Sequence, residues 1–337
     1  MLKKLFFYLL LLILVATTGS AGFAWMRYEA FLQQQAPQNL DFVVARGWSV
    51  GKTAQQLEAR GVIDSALFFR LMNRHKPGAA LKAGTFAIEK GMTPEQILLR
   101  LRSTDVVRYM VTFPEGISLK QIAQRFNEKG WSGAGSALLT PQGRERLGVP
   151  QQTLEGLLFP DTYYYEANEQ GWGIAQRMVQ RMQQVLDKAW GATPKEQKKL
   201  SRYETLILAS IVEKETGAAA ERPEIAGVFH NRLARRMRLQ SDPTVIYGIK
   251  DYRGNITRKH LRTPTPYNTY TISALPPTPI CSPGAGAITA VLHPKKTNAL
   301  YFVARGDGSG SHRFARTLKE HNRNVKTYLK QLRKNRK

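Results

Sequence analysis

The 337-residue sequence contains one cysteine, Cys281, and half as many acidic residues as basic ones. A single cysteine excludes an intrachain disulfide and a zinc site built from several thiolates. The six histidines show no HExxH spacing. No Walker A, GxSxG or GxGxxG pattern opens a helix in a suitable context. The sequence therefore predicts no metal and no cofactor, and any chemistry must come from ordinary polar side chains.

The charge balance is strongly one-sided, with 50 Lys+Arg against 25 Asp+Glu and a formal net charge of +25. Such a field attracts polyanions, which include nucleic acids, anionic lipid headgroups and acidic cell-wall polymers. The alternative is that these residues only keep the surface solvated. The export signal described next argues against nucleic acid as a partner.

An uncharged apolar run at residues 5–26 follows Lys3 and Lys4. A helix of that length crosses a hydrocarbon core of about 30 Å. The two lysines favour a cytoplasmic N-terminus, and Trp25 suits the opposite interface. The run therefore predicts a membrane anchor at residues 1–26. A cleaved signal peptide with small residues around Ala21 is the alternative, and either segment exports the body of the protein.

A short repeat follows a predicted polar juxtamembrane linker at residues 27–40. A glycine precedes Ser49, Thr93 and Ser118 by two positions, and apolar residues recur five and eight positions after the Ser49 and Ser118 caps. Serine and threonine are preferred N-caps, and the apolar residues then share one helix face. The pattern predicts three helix starts, each after a glycine turn.

Residues 42–61 and 81–88 follow a strand–helix–helix–strand pattern that resembles LysM-type wall-binding modules. We predict a LysM-like α+β subdomain at residues 41–130; a generic α+β spacer fits the same pattern. Residues 131–152 are rich in Gly, Ser, Gln and Pro, which predicts a linker.

Residues 153–337 form the predicted catalytic domain. Its pattern indicates helices at 174–190, 194–216 and 224–236, an irregular region at 242–283, a strand at 300–304 and a basic helix at 317–333. The predicted fold class is α+β: an N-terminal transmembrane helix, the LysM-like subdomain, and a mixed domain built around a buried helix with lysozyme-like active-site features.

Glu215 is the strongest candidate for chemistry. The helix at 205–216 is almost wholly apolar in its first half, which predicts a buried core helix. Ile211 and Val212 share a face with Glu215, so burial and the negative helix end should raise the pKa of its carboxyl. A general acid for glycosidic cleavage needs such a pKa. Glu213 is better placed to be solvated or paired; a frayed, solvated helix end is the alternative for both.

Loops rigidified by proline carry an unusual density of amides, hydroxyls and tyrosines. Such groups suit sugar binding, because amides and hydroxyls bond ring hydroxyls and aromatic faces cover the apolar side of a pyranose. The alternative is a structural loop set whose polar groups satisfy one another. The predicted substrate-binding residues in these loops are Gln240, Asp242, Tyr267, Asn268, Thr269 and Tyr270.

These motifs together resemble the YceG-like family of endolytic murein transglycosylases, in order along nearly the whole chain. The residues that carry the resemblance are 155–163, 211–216, 231–233, 239–248, 267–270 and 275–277.

The resemblance implies cleavage of the β-1,4 bond between N-acetylmuramic acid and N-acetylglucosamine without water. It implies that Glu215 protonates the leaving oxygen and then acts as the base for attack by the 6-hydroxyl, which leaves a 1,6-anhydro end. The pair Glu215 and Thr216 matches the family's catalytic position, so Thr216 joins the predicted substrate-binding residues. Also implied are a single-pass inner-membrane anchor, a periplasmic body, nascent glycan strands as substrate, and a link with penicillin-binding synthases.

Two further hypotheses stay open from the residues. A lysozyme-type hydrolase needs a second carboxylate at about 5–9.5 Å from the acid, and Asp242 and Asp161 are the candidates. A non-catalytic wall-binding scaffold would need no acid at all.

Overall fold

The computed structural model describes residues 2–166 and 169–335, and the chain divides into two compact units. The N-terminal unit comprises Met1–Met110 and Tyr164–Glu169, and the C-terminal unit comprises Val111–Tyr163 and Gln170–Lys337. Residue 1 of the predicted anchor, and residues 167–168 and 336–337 of the predicted catalytic domain, lie outside the described residues.

The N-terminal unit is built on one antiparallel strand pair. Strands β1 and β2 place Phe42 opposite Phe86, and both rings are fully buried. Helices cover the pair and complete an apolar core. The elements are α1 (Leu2–Gln33), β1 (Leu40–Val44), α2 (Val50–Ala59), α3 (Ala66–His75), β2 (Gly84–Ile88) and α4 (Pro94–Arg102). The division between the units passes through β3 (Tyr109–Thr112) and β4 (Thr162–Tyr165), which pair with each other.

Helix α1 is longer than the predicted anchor. The stretch Phe6–Gln33 is long and apolar enough to cross a membrane by length and composition. Beyond residue 26 the helix continues, and Phe31 is only 3% exposed within the core of the N-terminal unit. Tyr28 packs against Phe68 with ring centroids 5.6 Å apart. Residues 27–33 of the predicted polar linker are therefore helical, because two aromatic residues one turn apart give them a face to bury.

The three predicted helix caps are confirmed. Ser49, Thr93 and Ser118 each accept a hydrogen bond from the backbone N–H three residues on, at the starts of α2, α4 and α5 (Leu119–Glu128). Positive φ angles of 83°, 90° and 76° at the preceding glycines, Gly47, Gly91 and Gly116, make the turns into these caps.

The strand–helix–helix–strand order is present as β1, α2, α3 and β2. Its likeness to LysM modules stays a prediction. The first segment of this unit ends at Met110, whereas the predicted subdomain extended to residue 130. Helix α5, the third member of the repeat, instead packs in the C-terminal unit, where Ile122 and Phe126 are fully buried.

The C-terminal unit is mostly helical, with one β-hairpin near its end. Residues 131–152, predicted as a linker, contain two helices, of which the first packs against α5 and the second against the first. After α5 the elements are α6 (Ser132–Leu138), α7 (Pro141–Arg146), α8 (Gly171–Ala192), α9 (Arg202–Glu215), α10 (Arg222–Ala234), α11 (Asp242–Gly248), α12 (Arg258–Arg262), α13 (Ala285–Leu292), β5 (Tyr301–Ala304), β6 (His312–Ala315) and α14 (Leu318–Asn335).

Two glycines in residues 131–152 allow neighbouring helices to pack closely against each other. A Cβ on Gly135 would lie 2.7 Å from the carbonyl oxygen of Ala123, and one on Gly143 would lie 2.2 Å from that of Ala137. Leu138, between these glycines, is buried. The segment resembles a linker in composition because close contact between helix backbones needs residues without side chains.

Helix α9 forms the centre of the C-terminal unit. Every residue from Thr205 to Val212 is buried, which confirms the predicted core helix, and α10 and α13 pack against it. It begins at Arg202, later than predicted, because Ser201 forms a capping box with Glu204. It ends at Glu215.

Candidate active site

Glu215 is the last residue of α9, and its side chain is set in a densely packed environment while part of its surface stays exposed. The hydroxyl of Ser241 donates a hydrogen bond to Oε1 of Glu215. Burial raises the pKa of the Glu215 carboxyl to about 7. The nearby charge of Asp242 also raises this pKa, whereas the Ser241 bond and the Arg232 charge oppose the rise.

A cavity of about 420 Å³ opens beside Glu215, within the C-terminal unit. We call it the site cavity. It is mainly polar, and helices α9, α10 and α14, the loop before α11 and strand β5 all contribute to it. Its lining residues are Glu215, Arg232, Leu239, Gln240, Asp242, Tyr270, Tyr301, Phe302, Leu318, His321 and Asn322.

The loop before α11 brings three consecutive residues to the site. Gln240 has a φ of 52°, which is uncommon for a residue with a side chain. Its backbone N–H donates to the carbonyl of Thr269 at 3.1 Å, and the Ser241 N–H donates to Oγ1 of Thr269 at 2.9 Å. These bonds hold the loop in its strained conformation, and Asp242 then starts α11.

Arg232 also stabilises this loop. Its guanidinium donates to the carbonyls of Leu300 at 2.6 Å and Leu239 at 2.8 Å, and to Oε1 of Gln240 at 3.2 Å. The residue is 7% exposed, and burial lowers the pKa of its guanidinium, which remains charged because arginine starts above 12. Arg232 thus supplies a fixed positive charge at the site cavity.

Three of the predicted substrate-binding residues line the site cavity with Glu215: Gln240, Asp242 and Tyr270. The Tyr270 hydroxyl donates to Oδ1 of Asp242 at 2.7 Å. Asp242 is therefore the second carboxylate of the cavity. The other candidate, Asp161, is not among the cavity residues and accepts a hydrogen bond from the backbone of Thr162.

Asn268 and Thr269 have a different place from the one we predicted. Both are fully buried, so neither has surface to offer a substrate. The Asn268 amide donates to three backbone carbonyls of the preceding loop, while Thr269 accepts from Ser241 and bonds Thr244. Their polar groups satisfy the loops themselves, which was the alternative interpretation.

Tyr267 and Thr216 also form their hydrogen bonds with other residues of the protein. The Tyr267 hydroxyl bonds Oγ1 of Thr278 at 2.9 Å, and its ring packs on Tyr247 at 4.8 Å. Thr216 is 5% exposed and accepts a hydrogen bond from the N–H of Ala218 at the end of α9. These residues position the loops around Glu215 and are not among the cavity residues.

Glu213 is paired, one of the two environments that we predicted for it. Its carboxylate lies 2.7 Å from Arg222 and accepts from the Gly284 N–H at 2.9 Å. With both oxygens occupied by structural partners, Glu213 is a poor candidate for proton transfer.

Sequence reasoning missed the residues on the C-terminal side of the site cavity. Tyr301 stacks on His321 with ring centroids 5.2 Å apart, and Phe302, Leu318 and Asn322 complete that wall. The Nδ1 atom of His321 is buried without a hydrogen-bond partner in the described part of the chain. Burial lowers the pKa of His321, which keeps its imidazole neutral near pH 7.

The site has the features of an acid–base centre for polar substrates: one carboxylic acid with a raised pKa beside a cavity lined by amide, hydroxyl and aromatic groups. Comparison with known proteins agrees with the sequence motifs. The YceG-like family model matches residues 42–327, so the chain belongs to the YceG-like family.

Two relatives are similar over most of the chain. The endolytic murein transglycosylase of Bacillus subtilis (strain 168) is 29% identical over 317 residues, which cover 88% of this chain and 87% of that protein. The endolytic murein transglycosylase of Streptococcus pneumoniae (strain D39) is 30% identical and covers 85% of this chain. The chain spans 58% of the pneumococcal protein's length.

A solved structure is also similar. The crystal structure of a YceG-like protein from Listeria monocytogenes matches 85% of this chain and 99% of its own, with 30% sequence identity and a TM-score of 0.52. The mixed α+β architecture is therefore that of the family.

Proposed function

We propose that this protein is an endolytic lytic transglycosylase that cuts peptidoglycan glycan strands. The observation that supports it most is the carboxyl of Glu215, which has a pKa of about 7 and lies on the wall of the polar site cavity. The relatives from Bacillus subtilis and Streptococcus pneumoniae both bear the name endolytic murein transglycosylase.

The first step is proton donation. With a pKa near 7, the Glu215 carboxyl is still partly protonated at neutral pH and gives its proton to the glycosidic oxygen as the bond to the anomeric carbon breaks. The resulting carboxylate is stabilised by the Ser241 hydroxyl and by the charge of Arg232. Asp242, kept in place by Tyr270, presents negative charge to the developing oxocarbenium ion.

The second step returns the proton. The Glu215 carboxylate takes a proton from the 6-hydroxyl of the muramic acid residue, whose oxygen then bonds the anomeric carbon. The products are a 1,6-anhydromuramic acid end and a free N-acetylglucosamine 4-hydroxyl, and no water is consumed. Glu215 ends protonated, ready for another cycle.

The remaining walls of the site cavity orient the sugar. The Gln240 amide is available to ring hydroxyls and N-acetyl groups, and Tyr301 and Phe302 supply aromatic surface to the cavity. Arg232 orients the sugar only indirectly, because it donates hydrogen bonds to the Gln240 side chain and to the loop carbonyls.

The decisive experiment compares the parent chain with Glu215→Gln on purified peptidoglycan. The parent should release products with anhydro ends, each one water lighter than the hydrolysed form by mass spectrometry. The amide cannot donate or accept the proton, so we expect a loss of about 10³-fold or more in rate. Unchanged turnover by Glu215→Gln would refute the proposal and favour a non-catalytic scaffold.

Lysozyme-type hydrolysis is a second candidate, because Asp242 shares the site cavity with Glu215. In that mechanism Asp242 would act as nucleophile or base, and Asp242→Asn would be as damaging as Glu215→Gln. Products with reducing ends would identify it, whereas anhydro ends with residual activity in Asp242→Asn would exclude it.

The location that we propose is the outer face of the cytoplasmic membrane. Helix α1 is compatible with a single-pass anchor, and the lysines before it favour an N-terminus inside the cell. The C-terminal unit would then be periplasmic and meet nascent strands near the penicillin-binding synthases that make them. The LysM-like part of the N-terminal unit is proposed as a wall-binding module.

A further inference from the structure

Helix α14 carries a continuous row of positive charge. Six exposed lysines and arginines fall within an arc of about 100° when placed at 3.6 residues per turn, and the row is about 22 Å long. Glu320, the one acidic residue of this helix, lies outside that arc. The residues of this α14 basic stripe are Lys319, Arg323, Lys326, Lys330, Arg333 and Lys334.

The stripe is not needed to hold the fold together. Helix α14 packs against the β5–β6 hairpin through its other face, where His321 stacks on Tyr301 and Tyr328 approaches Gly306. None of the six stripe residues forms an ion pair with a described residue. Six like charges at adjacent helical positions repel one another, so this arrangement costs stability unless an anion is bound.

The stripe begins at the site cavity. Asn322, a cavity residue, lies three positions after Lys319 and four before Lys326, so it is a direct neighbour of both on the helix surface. A polymer whose cleavable bond lies beside Glu215 and that continues past Asn322 would therefore run along the stripe. The chemistry that fits is a chain carrying carboxylates at intervals.

We propose that the α14 basic stripe binds the acidic stem peptides of the glycan strand whose sugars occupy the site cavity. This inference rests on the proposed function, and it adds that the enzyme selects strands that still carry their peptides. A muramic acid stripped of its peptide keeps one lactyl carboxylate close to the sugar ring, whereas an acidic stem peptide carries several carboxylates that reach away from it. The peptides are therefore the part of the substrate that the stripe can distinguish.

The test uses the full chain in neutral detergent with Glu215→Gln, so that strands bind without being cut. Strand affinity is measured for this chain and for the same chain with Lys326→Gln, Lys330→Gln and Arg333→Gln. For peptide-bearing strands at low salt, we expect the triple substitution to weaken binding about tenfold, since each exposed charge contact contributes roughly a factor of two. For strands stripped of peptides, we expect less than a twofold change.

The matched control removes three exposed lysines elsewhere in the C-terminal unit, with Lys120→Gln, Lys188→Gln and Lys195→Gln. It makes the same change in net charge and should alter strand binding by less than twofold. An equal loss in both variants would mean that only total charge matters and would overturn the proposal. Equal weakening on bare and peptide-bearing strands would also overturn it.

An anionic membrane surface is the other source of negative charge. If phosphatidylglycerol added to the micelles binds through the stripe while the triple substitution leaves strand affinity unchanged, the stripe is a lipid site and the proposal is wrong. Because these are binding measurements in an inactive chain, they stand apart from the cleavage assay. An active parent with no peptide preference would refute this inference alone.

Discussion

The two neighbours of Glu215 act on its pKa in opposite directions. The Ser241 hydroxyl lowers this pKa by bonding the carboxylate, and the charge of Asp242 raises it. Because the acid step needs the protonated form, the rate should fall as the pH rises through the pKa of Glu215, which is about 7. The falling limb of the pH–rate profile lies at this pKa. Its position on the pH scale therefore shows how each neighbour shifts the pKa of Glu215.

We predict that Ser241→Ala moves the falling limb to higher pH and that Asp242→Asn moves it to lower pH, each by about half to one unit. Initial rates on purified strands from pH 5 to 9 would measure both shifts. The pair is its own control, since general damage to the site lowers the rate without moving the limb in opposite directions. Shifts of the same sign would contradict this account.

Glu215 also makes stability depend on pH. Its folded-state pKa of about 7 lies above the ordinary value of 4.5, so the folded chain binds this proton more tightly than the unfolded chain does. The associated stability is fully present below about pH 4.5 and is lost as the pH rises through 7. Above neutrality, the Glu215 carboxyl is ionised while buried, and this lowers the stability of the folded chain.

Accordingly, Glu215→Gln should become more stable relative to the parent as the pH rises, by roughly 1–3 kcal/mol between pH 5 and pH 8. Urea unfolding of both chains at the two pH values gives this difference. Glu155, whose pKa burial also raises to about 7, contributes equally to both chains and cancels. A difference between the chains that does not change with pH would contradict a buried, titrating Glu215.

Residue-level inference from sequence worked where the determining contacts are local. The packed environment of Glu215 could be predicted because Ile211 and Val212 share its helix face, and the cap at Ser118 follows from its own neighbours. Asn268 could not be placed, because an amide in a proline-rich loop has the same sequence signature whether it bonds a sugar or three backbone carbonyls. His321 gave no signal, since only tertiary packing brings it within reach of α9.

Among the elements, α6 is the one whose composition was most misleading. Gly133 and Gly135 are both in this helix, but a Cβ at Gly133 would meet nothing within 4 Å, whereas one at Gly135 would lie 2.7 Å from a backbone oxygen of α5. One glycine is therefore incidental and the other is a packing requirement. Sequence alone treats them as equal signs of flexibility.

Alanine at these positions should consequently act in opposite directions. We expect Gly135→Ala to destabilise the chain by about 1–3 kcal/mol through overpacking against α5. Gly133→Ala, at an exposed helical position, should stabilise it by up to about 1 kcal/mol through helix propensity. Thermal or urea unfolding distinguishes the two. Tolerance of both substitutions would mean that residues 131–152 are the loose linker that their composition suggested.

At the scale of the whole molecule, the single cysteine becomes an experimental advantage. Cys281 is fully buried, and burial raises the pKa of its thiol, so the parent chain should not react with a maleimide while folded. An added cysteine at an exposed position would then be the one reactive thiol. Ser136, exposed on α6 in the C-terminal unit, is a suitable position.

We predict that Ser136→Cys is labelled by a membrane-impermeant maleimide in intact spheroplasts, and that the labelled chain stays with the membrane after an alkaline wash. Labelling tests the outward orientation that the lysines before α1 favour, and retention tests the anchor against a cleaved signal peptide. The parent chain controls for Cys281. Labelling only after lysis would place the C-terminal unit in the cytoplasm, where it meets no glycan strand, so the proposed location and the proposed substrate depend on this result together.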